Sequence, residues 1–133
     1  MAEIVVDASI LSALFLKEEA SEEIRSVVES EATLYAPSFW RFEVSNVIWK
    51  TKTIPLKEAK DLIEIIWSFS IRTNESVEIA GEGLLISRKY GITFYDAFYI
   101  AMARFISAPL WTMDKVQARS ATKAGVVLWK DQY

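Results

Sequence analysis

"EIVVDASILSALFL", residues 3–16, is the stretch from which the architecture is read. Ile4, Val5 and Val6 form a short, continuous run of β-branched residues, the pattern of a strand buried on both faces. Asp7 ends that run, and "ASILSALFL" then has helical character. A strand passing straight into a helix is the first half of a βαβ unit.

Outward from this stretch the alternation continues. "EEASEEIRSVVESE" (18–31) places Ile24, Val27 and Val28 on one side of a solvent-flanked helix, and "TLYA" (33–36) reads as a second strand. Pro37 suits the first turn of a helix through "SFWRFEVSNVIWK". After a break at Ile54–Pro55, "LKEAKDLIEIIWSF" (56–69) is amphipathic, and "SIRTN" (70–74) is a candidate short strand. "ESVEIAGEGLLISRKYG" (75–91) reads as a helix capped by Gly91, and "TFYDAFYIAMARF" (93–105) as a helix ended by Pro109. "LWTM" (110–113), "KVQARSATKAG" (115–125) and "VVLW" (126–129) close the chain as strand, helix and strand. The expectation is one α/β domain over residues 1–133, its sheet mainly parallel and covered by helices on both faces. Ligands of such sheets bind at the carboxyl ends of the strands, where strand order reverses.

Composition prunes the chemistry. The 133 residues include no cysteine and no histidine. Disulfides, thiol nucleophiles, imidazole bases and His/Cys zinc sites are therefore excluded. A metal would have to be held by oxygen, which selects Mg²⁺ or Mn²⁺. The four glycines make no phosphate-cradling loop. A net charge of −3 argues against a broad, sequence-independent grip on nucleic acid. No apolar run approaches the ~18 residues of a membrane span, and the N-terminus lacks a basic leader, so the expected location is the cytoplasm.

Four acids then stand out. Asp7 and Asp114 each follow an apolar strand, and each alone reads as a helix N-cap. Gln117 would complete a capping box with Asp114, and Thr112 would share its side of the sheet. Glu43 shares a helical face with Phe39, Trp40, Asn46 and Val47, opposite Ser38, Arg41 and Ser45. It reads equally as a helix-edge acid whose head reaches water and as a site residue. Asp96 is the only charged residue between Lys89 and Arg104; it fits a capping box with Thr93, yet faces the bulky Tyr99 and Ile100. If all four meet at one sheet edge, their repulsion must be relieved by raised pKa values or by a bound cation.

The segments "VVDASIL", "PSFWRFEVSNVI", "TFYDAFYIAMA" and "LWTMDKVQARSA", in this order, resemble the PIN-domain family, most closely its VapC-type toxin ribonucleases. The resemblance spans nearly the whole chain. It implies a parallel five-stranded sheet and Mg²⁺- or Mn²⁺-dependent hydrolysis of RNA. By position it implies Asp7, Glu43, Asp96 and Asp114 as catalytic and metal-binding residues, with Ser9, Asn46 and Thr112 supporting them. It also implies a homodimer and a VapB-type antitoxin partner. Arg41, Lys115 and Arg119, with Lys50 and Lys52, are candidate cations for the RNA. Trp40, Trp49 and Trp67 could stack bases, although their helical spacing favours packing. Two other readings compete. A catalytically silent PIN-like interaction module would keep the fold and bind no metal. A phosphoacceptor receiver domain would need a further acidic pair after the first strand, where this chain has Ala8 and Ser9.

Overall fold

The computed structural model describes residues 2–18 and 20–129. The chain runs β1 (Glu3–Val6), α1 (Ala8–Phe15), α2 (Ser21–Val28), β2 (Thr33–Tyr35), α3 (Trp40–Lys50), α4 (Leu56–Ser68), α5 (Val77–Tyr90), α6 (Phe94–Ile106), β3 (Leu110–Trp111) and α7 (Lys115–Lys123). The strands are parallel in the order β2-β1-β3, with Val5 opposite both Tyr35 and Leu110.

Two further chain segments extend the sheet by single parallel bridges, Arg72 beside Tyr35 and Leu128 beside Leu110. Five segments thus lie side by side, three of them long enough to be strands. "SIRTN" and "VVLW" therefore each contribute only a bridge, and "LWTM" is a strand only at Leu110–Trp111. Beyond β3, the Thr112 hydroxyl accepts from the Asp114 backbone N–H and donates to Asp7.

β1 is the middle strand, and the chain leaves it first toward β2 and later toward β3. The crevice between β1 and β3 is therefore the point where strand order reverses, and Asp7 and Asp114 follow those two strands. The core forms around this pair. Ile4, Val5 and Val6 are buried with Leu110 and Trp111, and every residue of α6 from Ala97 to Met102 and Ala103 is buried as well. Such a helix is apolar nearly all round because it lies inside the domain.

Two helix ends differ from expectation. α3 begins at Trp40, since Pro37 sits in a preceding turn whose carbonyl accepts from the Trp40 N–H at 3.1 Å. α6 is ended by Ser107, in the left-handed region at φ 56°, and not by Pro109. Ala108 and Ser107 donate back to Ala103 and Arg104, which satisfies the last carbonyls of the helix. Gly91, at φ 69°, ends α5 in the left-handed conformation that suits glycine. No helix among the described residues is long and apolar enough to cross a membrane.

Candidate active site: an acidic edge at the switch point

Asp7 is 5% exposed, and its carboxylate is held by hydrogen bonds on both oxygens. Oδ1 accepts from the Ser9 and Ile10 N–H groups at 3.0 and 3.3 Å and from the Ser9 hydroxyl. Oδ2 accepts from the buried Thr112 hydroxyl. Ser9 Oγ in turn accepts from Met113 N at 2.9 Å, and Thr112 Oγ1 from Asp114 N at 2.9 Å. One N-cap thus ties the start of α1 to the end of β3. Burial dominates the electrostatics and raises the Asp7 pKa from 3.8 to about 6, against the opposing pull of these hydrogen bonds.

Glu43, in the first turn of α3, is half-buried. Its Oε1 accepts from the Tyr99 phenol at 2.7 Å. Burial raises its pKa from 4.5 to about 7; the Tyr99 hydrogen bond opposes the rise, and the negative charges of Asp96 and Asp7 add to it. Asp96 lies in the first turn of α6, where its N–H donates to the Thr93 hydroxyl at 3.1 Å. Its pKa is raised by burial and then by the charge of Asp114. Asp114 is exposed and caps α7, accepting from Val116 N and Gln117 N at 2.8 and 3.1 Å.

Four acids from separate parts of the chain therefore feel one another in pairs: Glu43 with Asp96, Glu43 with Asp7, and Asp96 with Asp114. Two residues outside the candidate set complete the edge. Tyr99 is 1% exposed and its phenol is pushed up well above its ordinary pKa, first by burial and then by the Glu43 charge, so it stays a donor. Gln117 is buried, and its amide donates to the Asp96 carbonyl at 3.1 Å, joining α7 to α6. Tyr99 read as an apolar wall in sequence, although a tyrosine three residues after an acid on a helix shares its face. The Asp114–Gln117 spacing did mark Gln117, but as a capping residue.

Other candidates lie elsewhere. Asn46 is exposed one turn beyond Glu43, and among the described residues it makes no hydrogen bond to a carboxylate. Arg41 donates to the Phe69 carbonyl at 2.7 Å and lies over Trp40 and Trp67, so its guanidinium braces α3 against the end of α4. Lys115 and Arg119 are exposed on α7 beside Asp114, whereas Lys52 sits over the Trp49 ring. Trp40 is core, while Trp49 and Trp67 are exposed.

The PIN domain family model matches residues 4–123. The chain belongs to the PIN domain family. Among curated proteins this PIN domain is similar to Ribonuclease VapC3 of Pyrobaculum aerophilum, 32% identical over 117 residues, covering 84% of this chain and 89% of that protein. Among solved structures it is similar to PAE2754 from Pyrobaculum aerophilum, with a TM-score of 0.68 at 24% identity over 90% of this chain and 84% of that one. The VapBC2 structure from Rickettsia felis, bound to a DNA fragment from their promoter, gives a TM-score of 0.69 at 16% identity over 96% and 97% of the two chains. At these identities the solved structures speak for the fold.

The donor set of the PIN edge suits a hard divalent cation, since every ligating group available is a carboxylate oxygen under mutual repulsion. Among the described residues no three carboxylates stand positioned to hold one ion together. Mg²⁺ is commonly held by one or two carboxylates, with water and substrate phosphate completing its shell, so a pair drawn from this edge would be enough.

Proposed function

We propose that this PIN domain is a Mg²⁺- or Mn²⁺-dependent endoribonuclease, the toxin of a VapBC-type pair. The observation that carries the reading is the gathering of Asp7, Glu43, Asp96 and Asp114 at the β1–β3 switch point, tied together through Thr112, Gln117 and Tyr99. The similarity to a curated ribonuclease over most of both chains supports it. A phosphodiester approaching this edge meets carboxylates of its own sign, so RNA needs a cation there before it can bind productively.

Asp96 with Glu43 or with Asp114 would hold the ion, with Asp7 behind them and with water and substrate phosphate completing the shell. Bound there, a divalent ion neutralises charge on the phosphate oxygens and makes a water molecule more acidic. The chain's own residues do the rest. Asp7 is locked by Ser9 and Thr112 and fixes the spacing between α1 and β3. Glu43 would either complete that shell or orient the attacking water. Tyr99 restrains Glu43 by bonding one of its two oxygens, which leaves the other for the ion or the water.

Water attack leaves a 5′-phosphate and a 3′-hydroxyl. Incubation of the protein with end-labelled RNA oligomers should give these ends in Mn²⁺ and no cleavage in EDTA. Cleavage to 2′,3′-cyclic phosphate ends that persists in EDTA would refute the reading.

The partners follow from the same proposal. A groove of about 580 Å³ between α1, α2 and α4, walled by Leu14, Phe15, Val28, Leu62 and Ile65, offers an antitoxin an apolar surface. Exposed Leu84 and Leu85 on α5 suit burial between two copies in a homodimer.

A further inference from the structure

We infer that the cleft beside Glu43 is a nucleobase subsite, in which one base next to the scissile phosphate stacks on Phe42 and Tyr95 and is read by Asn46. The inference rests on the ribonuclease reading and names the substrate contact that the acids themselves do not provide.

The cleft measures about 420 Å³ and is lined by Phe39, Phe42, Glu43, Asn46 and Tyr95. That lies near the lower end of the roughly 300–1,000 Å³ of small-ligand sites. Glu43 belongs both to this lining and to the acidic edge, so a nucleotide whose phosphate reaches the acids brings its base here. Phe42 and Tyr95 are 66% and 57% exposed, so both rings are open to a ligand in the cleft.

Both rings are braced from behind. Phe42 meets Trp67 edge-on at 5.1 Å, and Trp67 is itself held by a hydrogen bond to Ser45. Tyr95 packs against Phe39 at 5.0 Å and against Phe94 at 6.5 Å. Rings fixed in this way stack on a base with little further loss of side-chain freedom. Asn46 brings an amide that among the described residues has no hydrogen-bond partner, with a donor and an acceptor to offer a base edge. No Lys or Arg lines the cleft, so its chemistry suits the uncharged part of a nucleotide.

The test is a cycle of cleavage rates, measured as kcat/KM in Mn²⁺, on an intact single-stranded RNA and on RNAs with one abasic position flanking the cut. The wild-type protein should lose about tenfold when the base is removed, the scale of one aromatic stack. Phe42→Ala and Tyr95→Ala should each lose about as much on intact RNA and little more on abasic RNA. Phe42→Tyr, which keeps a stacking face, should lose clearly less than Phe42→Ala on intact RNA. Asn46→Ala should flatten the preference among the four bases at that position.

If the base and Phe42 effects multiply independently, or if Phe42→Ala cleaves intact RNA like wild type, the subsite is wrong. A change in sedimentation of Phe42→Ala, with equal losses on both RNAs, would make the cleft an interface between copies and also overturn it. A wild-type protein that cleaves neither RNA fails the ribonuclease reading itself, and the subsite falls with it.

Discussion

The acidic edge has an inner knot around Asp7 and an outer rim of Glu43, Asp96 and Asp114, and the two use their oxygens differently. In the knot each carboxylate oxygen of Asp7 is engaged, with Ser9 and Ile10 on one and Thr112 on the other. In the rim, Glu43 bonds Tyr99 through one oxygen, and Asp114 caps α7 through one oxygen. The rim acids are partly or fully exposed, and their mutual repulsion is eased by water, by protonation or by a bound cation. On the proposed reading, the knot serves the fold and the rim serves the chemistry.

The largest effect should separate the two regions most sharply. Asp96→Asn should cut RNA cleavage by more than about a hundredfold, beyond what losing an outer-shell partner costs. Its stability should stay within about 0.5 kcal/mol of wild type, as for other substitutions without buried partners. Cleavage assays with urea unfolding on the same samples check both halves, and an active Asp96→Asn protein would break the division.

Next, Asp7→Ala should destabilise by about 2–3 kcal/mol, combining a lost helix cap with the stranded hydroxyls of Ser9 and Thr112. Asp114→Ala, which loses only a cap, should cost about 1 kcal/mol. Equal losses in urea unfolding would show that the knot has no special structural weight.

Tyr99→Phe probes the contact between core and rim. Removing the phenol should slow cleavage by about tenfold, comparable to other supporting hydrogen bonds around a metal site, while stability changes by about 1 kcal/mol. An unchanged kcat would mean that Glu43 needs no fixing.

Much of the fold was legible because local patterns carry it. The apolar run at Ile4–Val6 and the glycine at Gly91 need no distant partner to be understood. The edge segments at Arg72 and Leu128 were harder, since a single bridge leaves almost no periodicity to detect. The acids were visible one at a time, and Asp7 and Asp114 do cap helices as their positions imply. Their convergence depends on strand order, which only tertiary pairing decides. Arg41 shows the reverse limit: helical geometry places it on a polar side, yet its guanidinium finds a backbone carbonyl 28 positions away.

The pH dependence tests the central claim, that these carboxylates form one unit relieved by a cation. Asp7 rises from 3.8 to about 6 and Glu43 from 4.5 to about 7, so the folded state holds these protons more tightly than the unfolded chain. Without a divalent ion, that stabilisation is complete below about pH 4 and is lost as pH rises through 6 and 7. The decisive measurement is urea unfolding across this range in EDTA and in excess Mn²⁺. In EDTA stability should fall toward neutral pH, whereas Mn²⁺ at a hundred times its Kd should add roughly 2.7 kcal/mol near pH 7.5 and almost nothing near pH 4. Superimposable curves with and without Mn²⁺ would contradict the account.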